Sequence, residues 1–232
     1  MQAFPSLAER LIDKFDVIVL PDATARSIEA GFGGGDGGER RAANRESGDE
    51  ERRSAGGAMP PEYQGGLGEP GDAALKEFAA AGGTILAFNK ASLYAIQQLG
   101  VGARNVLAGV SNRDFYAPGS LFSTTVEPGP LTYGLENQVA VWFESGPAFE
   151  PAAEGAIPPA IPVLKYPAGN PLASGWLLGP KLIENKSAVM DAPAGKGHII
   201  LFGIRPQYRA QSYATFKLFF NGLFAYQENR NP

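Results

Sequence analysis

Cysteine is absent from the 232 residues, which excludes disulfides, thiolate nucleophiles and cysteine metal sites. Histidine occurs once, as His198, so a zinc site built on several imidazoles is excluded too. Neither sign of charge dominates: 20 basic residues face 24 acidic ones, a formal net charge of -4. That balance gives no electrostatic reason to expect nucleic acid or an anionic membrane as a partner. No apolar run approaches the length of a membrane span. The opening MQAFPSLAERL lacks the basic-then-apolar order of a signal peptide. Few of the residues that enzymes use remain, and neither a metal nor a cofactor is expected.

What is present is ordinary globular material, 44% hydrophobic, sized for one large domain or two small ones. SLAERLIDKF (Ser6 to Phe15) places Leu7, Leu11 and Ile12 on one helical face. DVIVLPD (Asp16 to Asp22) is a continuous apolar run, the pattern of a strand buried on both faces. DAALKEFAAAGG (Asp72 to Gly83) predicts a helix ending in glycines, TILAFN (Thr84 to Asn89) a second buried strand, and KASLYAIQQLG (Lys90 to Gly100) a helix closed by Gly100. This alternation indicates an α/β domain with a parallel sheet. The second half is richer in strands: Leu121 to Glu127, Val139 to Ser145, Val163 to Pro167, Ser187 to Pro193, and GHIILFGI from Gly197. In the closing YATFKLFFNGLFAYQ (Tyr213 to Gln227), Phe216, Phe219, Phe220 and Leu223 form a helical stripe expected to face the core.

Between the first strand and the second helix the chain changes character. Ala30 to Gly71 is crowded with glycine and charge, and Arg40, Arg41, Arg45, Arg52 and Arg53 are balanced by neighbouring acids. Such a segment buries too little apolar surface to offset its ordering entropy, so residues 32–57 read as a disordered insertion within a single domain over 1–232. Gly33, Gly35 and Gly38 match G-x-G-x-x-G. They lie well past Asp22, whereas a dinucleotide fingerprint needs the immediate strand-to-helix turn. His198 follows Gly195-Lys196-Gly197, where a β-turn is expected, and no G-x-S-x-G serine exists to partner it. A surface or strand-edge histidine is the preferred reading. Trp142, Phe143, Phe149, Tyr166 and Trp176 suit an aromatic binding surface or an ordinary core equally well. The stretch Ile157 to Pro162 reads as an extended connector.

Two strand ends carry the chemical information. Phe88-Asn89-Lys90-Ala91-Ser92 is a buried strand turning sharply into a helix, the geometry of a nucleophile elbow. Backbone amides at such a helix start can hold an anion or oxyanion. Ile204-Arg205-Pro206-Gln207 is a strand terminus presenting two polar side chains around a proline. Together they resemble the class I glutamine amidotransferase-like fold, a flavodoxin-like, mostly parallel sheet flanked by helices. In active members the elbow carries Cys and the late strand ends in His-Pro-Glu. Here those positions read Asn89 (or Lys90), Arg205 and Gln207. Asn is no thiolate, Arg with a pKa above about 12 is no base at neutral pH, and Gln carries no charge. The resemblance therefore implies a degenerate triad with no catalytic residue.

One subgroup is closer still. PDATARSIEAG, AMPPEYQGGLG, GDAALKEFAAAGGTILAFNKAS, LASGWLLG and GKGHIILFGIRPQYRAQSYATFKLFFNGLF resemble a domain at the C-terminus of bacterial zinc carboxypeptidases. The resemblance implies a non-catalytic accessory or docking domain, whose partner is a zinc carboxypeptidase catalytic domain in the same, secreted or periplasmic, polypeptide. The zinc chemistry itself requires two histidines and cannot reside in this chain. Two arrangements of the strand ends remain open. Asn89, Lys90, Arg205 and Gln207, with Asp22 nearby, form a vestigial pocket for a small carboxylate, or Arg205 pairs with Asp22 or another acid and closes the site. Closure is preferred, because buried polar groups are usually satisfied internally. The alternative function is a stand-alone anion-binding domain, or a diverged hydrolase using Lys90 or Ser92 as nucleophile.

Overall fold

A computed structural model describes residues 10–31, 65–152 and 159–226. The proposed insertion 32–57, the glycine motif at Gly33, Gly35 and Gly38, the first four residues of the helix expected over Ser6 to Phe15 and the start of the Ile157 to Pro162 connector lie outside the described residues. A 3-10 turn at Leu11–Asp13 leads into β1 (Val17–Leu20) and a short helix α1 (Ala25–Ala30), whose first turn is capped by the Thr24 hydroxyl. Then follow α2 (Gly68–Ala80), β2 (Thr84–Phe88), α3 (Ala91–Gln98) and β3 (Ala103–Asn105). The strand-rich part comprises β4 (Ser120–Val126), β5 (Gln138–Phe143), β6 (Phe149–Pro151), β7 (Ile161–Lys165), β8 (Leu172–Ser174), β9 (Ser187–Ala194) and β10 (Gly197–Phe202). Helix α4 (Ala214–Phe224) closes the described chain.

The ten strands form one mixed sheet, with its main path ordered β1-β2-β10-β9-β7-β4-β5. Among the described residues, only β1 with β2 and β2 with β10 pair in parallel. The remaining strand pairs are antiparallel. The expected flavodoxin-like, mostly parallel sheet is thereby overturned. The physical reason lies in the connections and the burial pattern. Parallel neighbours need a long crossover, which α1 and α2 supply between β1 and β2. Between β9 and β10 there are only Gly195 and Lys196, and Gly195 adopts φ +65°, so the two strands can only fold back as a hairpin. β4 and β5 alternate buried and more exposed positions, the mark of antiparallel strands with one wetter face, whereas β2 is buried at every residue. β1, expected to be buried on both faces, is instead the end strand of the path and is buried only at Leu20.

Helices cover both faces of the parallel end. Ile85, Ile199 and Leu201 meet Phe78 of α2 and Tyr94 of α3. Leu86, Ile200 and Phe202 meet Leu218 of α4 on the other side, where Phe88 packs edge-on against Phe202 and Phe219. Such aromatic pairs add about 0.5–1.5 kcal/mol beyond their burial. Thr215, Leu218 and Gly222 form the buried stripe of α4, and Phe220 lies on its outer side. The stripe expected from Phe216, Phe219, Phe220 and Leu223 is rotated from the true inner face. Phe143, Phe149 and Tyr166 are wholly buried core residues, and of the five aromatics set out as a surface only Trp176 is largely exposed.

Candidate functional site at the ends of the parallel strands

β1, β2 and β10 run in the same direction, so their C-terminal ends place Asp22, Asn89 and Arg205 at one edge of the sheet. β2 stops because Asn89 takes a left-handed conformation, φ +49°, which turns the chain sharply into α3. Asn tolerates this conformation better than most residues. The corner is pinned to β10: the Asn89 N–H donates to the Phe202 carbonyl at 2.7 Å and to the Ile204 carbonyl at 3.2 Å. Beneath it Ser92 is fully buried, its hydroxyl within 2.8 Å of the Ala87 carbonyl and 2.9 Å of the Phe202 carbonyl. That hydroxyl staples α3 to two strands and faces no solvent, which removes Ser92 as a nucleophile.

The Asp22 carboxylate occupies the position where an anion would sit. Its Oδ1 accepts the Lys90 backbone N–H at 3.2 Å, its Oδ2 accepts the Asn89 side-chain amide at 2.9 Å, and Arg205 Nε lies 3.5 Å from the same oxygen. The other end of the Arg205 guanidinium pairs with Glu144, immediately after β5. The guanidinium carbon also stands 3.9 Å from the centre of the Tyr208 ring, which in turn stacks on Trp142 with ring centres 6.5 Å apart. The guanidinium is thus paired with two carboxylates, through Nε and one terminal nitrogen, and covered on one face by an aromatic ring.

The loop after β5 approaches very closely. Gly146 lies against the Gly203 carbonyl and the Asn89 side chain, such that a Cβ at this position would stand 2.1 Å and 2.6 Å from their oxygens. Only glycine lets the Glu144 loop reach the strand ends. Lys90 and Gln207, set out from the sequence with Asp22, Asn89 and Arg205, are placed differently: both side chains are exposed, and Lys90 contributes only its backbone amide. Of the two cationic side chains set out there, only Arg205 joins the cluster, where two acids offset it. Glu144, Gly146 and Tyr208 were missed. Tyr208 stands three residues after Arg205, a spacing that hints at a cation–π contact, but nothing in the sequence brings Glu144 across the sheet.

His198 also departs from expectation. It is neither on the surface nor free at the strand edge: its Nδ1 lies 2.8 Å from Asp191 Oδ1, and its ring stacks on Tyr226, centre to centre 3.6 Å. The Tyr226 hydroxyl donates to the other oxygen of Asp191. This cluster sits at the start of β10, the opposite end from Arg205, and ties the end of α4 to the sheet. Among the described residues no group of three or more His, Cys, Asp or Glu side chains is placed to hold a metal ion. Nor is any of their helices long and apolar enough to cross a membrane.

No family model and no curated protein matches the chain. Among solved structures it is similar to the cytoplasmic protein STM3548 from Salmonella typhimurium, at 15% identity over 96% of this chain and 75% of that one, with a TM-score of 0.48. It is also similar to a β-galactosidase from Bacillus circulans sp. alkalophilus, at 12% identity over 67% of this chain and 20% of that one, TM-score 0.39. A third likeness is to Gan42B, a GH42 β-galactosidase, at 18% identity over 66% and 18% of the two chains, TM-score 0.35. Likenesses this weak leave activity and substrate to be argued from the site itself.

Proposed function

We propose that the chain is a non-catalytic accessory or docking domain whose strand-end site, a degenerate amidotransferase-type triad, is closed by its own side chains. The observation that carries this reading is the position of Asp22. Its carboxylate takes the Lys90 amide and the Asn89 side chain, and shares Arg205 with Glu144. An acyl-transfer site needs a nucleophile, a base in reach of it and free donors for the oxyanion. Here Asn89 stands at the elbow, Arg205 cannot accept a proton near neutral pH, and an internal anion fills the donors.

The polypeptide served by such a domain is, on this proposal, a bacterial zinc carboxypeptidase-like protein. Support for that finer statement comes from the sequence phrases around Asp22, Asn89 and Arg205. The test is the mass of the native polypeptide in its source cells, by immunoblot with an antibody raised to this chain. A band far above 24.5 kDa whose immunoprecipitate hydrolyses C-terminal residues in a zinc-dependent manner is the expected result. A band at 24.5 kDa, with no peptidase accompanying it, would overturn the attachment.

A further inference from the structure

The outward face of α4 is aromatic where a surface helix would ordinarily be polar. Tyr213, which precedes the helix with helical backbone angles, is 80% exposed, Phe220 52% and Phe224 65%. At about 100° per residue these three positions fall on one line, directly opposite the buried Thr215, Leu218 and Gly222. Phe216 stacks on Tyr213 with ring centres 6.2 Å apart and widens the stripe. Tyr133, 82% exposed, adjoins it, because Asn221 of α4 donates its side-chain amide to the Tyr133 carbonyl. The one charged side chain in the stripe, Lys217, is turned onto the Gly134 carbonyl.

We infer that this face is covered by a second copy of the chain, two α4 helices packing across a two-fold axis. Area is the first argument. At the usual size of aromatic side chains, Tyr133, Tyr213, Phe220 and Phe224 leave roughly 600 Å² exposed. Two copies meeting through the stripe would bury about 1,200 Å², the lower bound of a stable, specific interface. Charge is the second. A two-fold contact sets each patch against itself, so a patch with several like charges would repel its copy. This one presents aromatic rings and a single cation already bonded to a carbonyl. Exposed tyrosine and phenylalanine are also the residues enriched at the centres of such contacts.

Trp176, 66% exposed near Tyr116 and Leu178, supplies an internal control, being another exposed apolar group outside α4. The experiment is sedimentation velocity on the whole chain at micromolar and higher concentrations, for the wild type, Phe220→Glu and Trp176→Glu. Far-UV circular dichroism checks that each variant is folded. The expected result is a concentration-dependent dimer for the wild type and Trp176→Glu, and a monomer for Phe220→Glu. Should Phe220→Glu lose its fold, Phe224→Glu serves in its place. A wild type that stays monomeric at every concentration would overturn the inference and leave the stripe to a different partner. A dimer untouched by Phe220→Glu but lost in Trp176→Glu would overturn it as well. Neither result depends on the native mass used to test the accessory role.

Discussion

Asp22 caps the corner that Asn89 turns: one carboxylate oxygen accepts the Asn89 side-chain amide at 2.9 Å, while the other accepts the N–H of the next residue at 3.2 Å. A strand end and a helix start are joined by one acidic side chain from the segment that follows the neighbouring strand β1. Asp22→Ala leaves the Asn89 amide and the Lys90 N–H without their acceptor, and a cost of about 1–3 kcal/mol is expected. Urea denaturation measures it. Because the vacated position lies beside Arg205, added acetate should raise the melting temperature of Asp22→Ala more than that of the wild type. Equal shifts in both proteins would show that Asp22 does not hold an anion position.

Gly146→Ala tests how closely the Glu144 loop is held. The new Cβ would stand 2.1 Å from the Gly203 carbonyl oxygen, a backbone atom with little room to move. A loss of about 3 kcal/mol or more is expected, by analogy with severe overpacking, read as a large drop in the denaturation midpoint. A change below about 1 kcal/mol, within reach of tolerated core swaps, would mean that the loop is not held against the strand end.

Tyr166 offers the opposite kind of test. It is fully buried at the meeting of Phe122 and Phe143, and its hydroxyl has no protein partner among the described residues. Removing a lone buried polar group is near neutral or favourable, so Tyr166→Phe should leave stability within about 0.5 kcal/mol of wild type or raise it. Burial pushes this phenol far above its ordinary value, as it does for Tyr94 and Tyr226, with Asp72 and Asp191 adding to the rise. The unfolded chain ionises its tyrosines near pH 10 while the folded one keeps these three neutral, so stability is present below that pH and is lost as pH climbs beyond it. Tyr166→Phe should make the alkaline loss shallower. An unchanged alkaline limb would contradict the assignment.

The acid limb has a different source. Glu150 lies between Lys186 and Arg104, and its carboxyl is held below the ordinary glutamate range, first by the hydrogen bond from Lys186. A depressed carboxylate contributes stability above its unfolded value and loses it as pH falls through the folded one. Stability should therefore decline as pH drops below about 4.5, and Glu150→Gln should flatten that decline. A Glu150→Gln profile parallel to wild type across the acid range would place the acid sensitivity elsewhere.

Much of the local structure was legible because each element carries its own period. The all-buried β2 reads as a continuous apolar run from Thr84, and α3 begins where Asn89 and Lys90 interrupt it. Asp22, Asn89 and Arg205 were placed together because each ends a predicted strand, and the three strands do run side by side. The sheet's overall direction was not legible in the same way. It depends on which strands pair, and the short β3, β6 and β8 make pairings that no local pattern announces. Pairing of Arg205 with Asp22 or another acid is the arrangement the strand ends favour, whereas Glu144 as one of those partners is not legible from them. Glu144 is far from Arg205 in sequence and reaches it only through the close approach of Gly146 to Gly203. On α4 the sequence holds aromatics on nearly every side, so periodicity alone could not say that Leu218 and Gly222 face inward and Phe220 outward.

The strand-end site is already filled by the protein's own groups. The most direct measurement is isothermal titration of the wild-type chain with acetate, formate and a short peptide bearing a free C-terminal carboxylate. No saturable heat is expected at millimolar ligand, because Asp22 holds the Lys90 and Asn89 amides and Glu144 pairs with the guanidinium. Saturable binding that is abolished by Arg205→Ala would contradict it, and would make the crevice between Asp22, Asn89 and Arg205 a working carboxylate site.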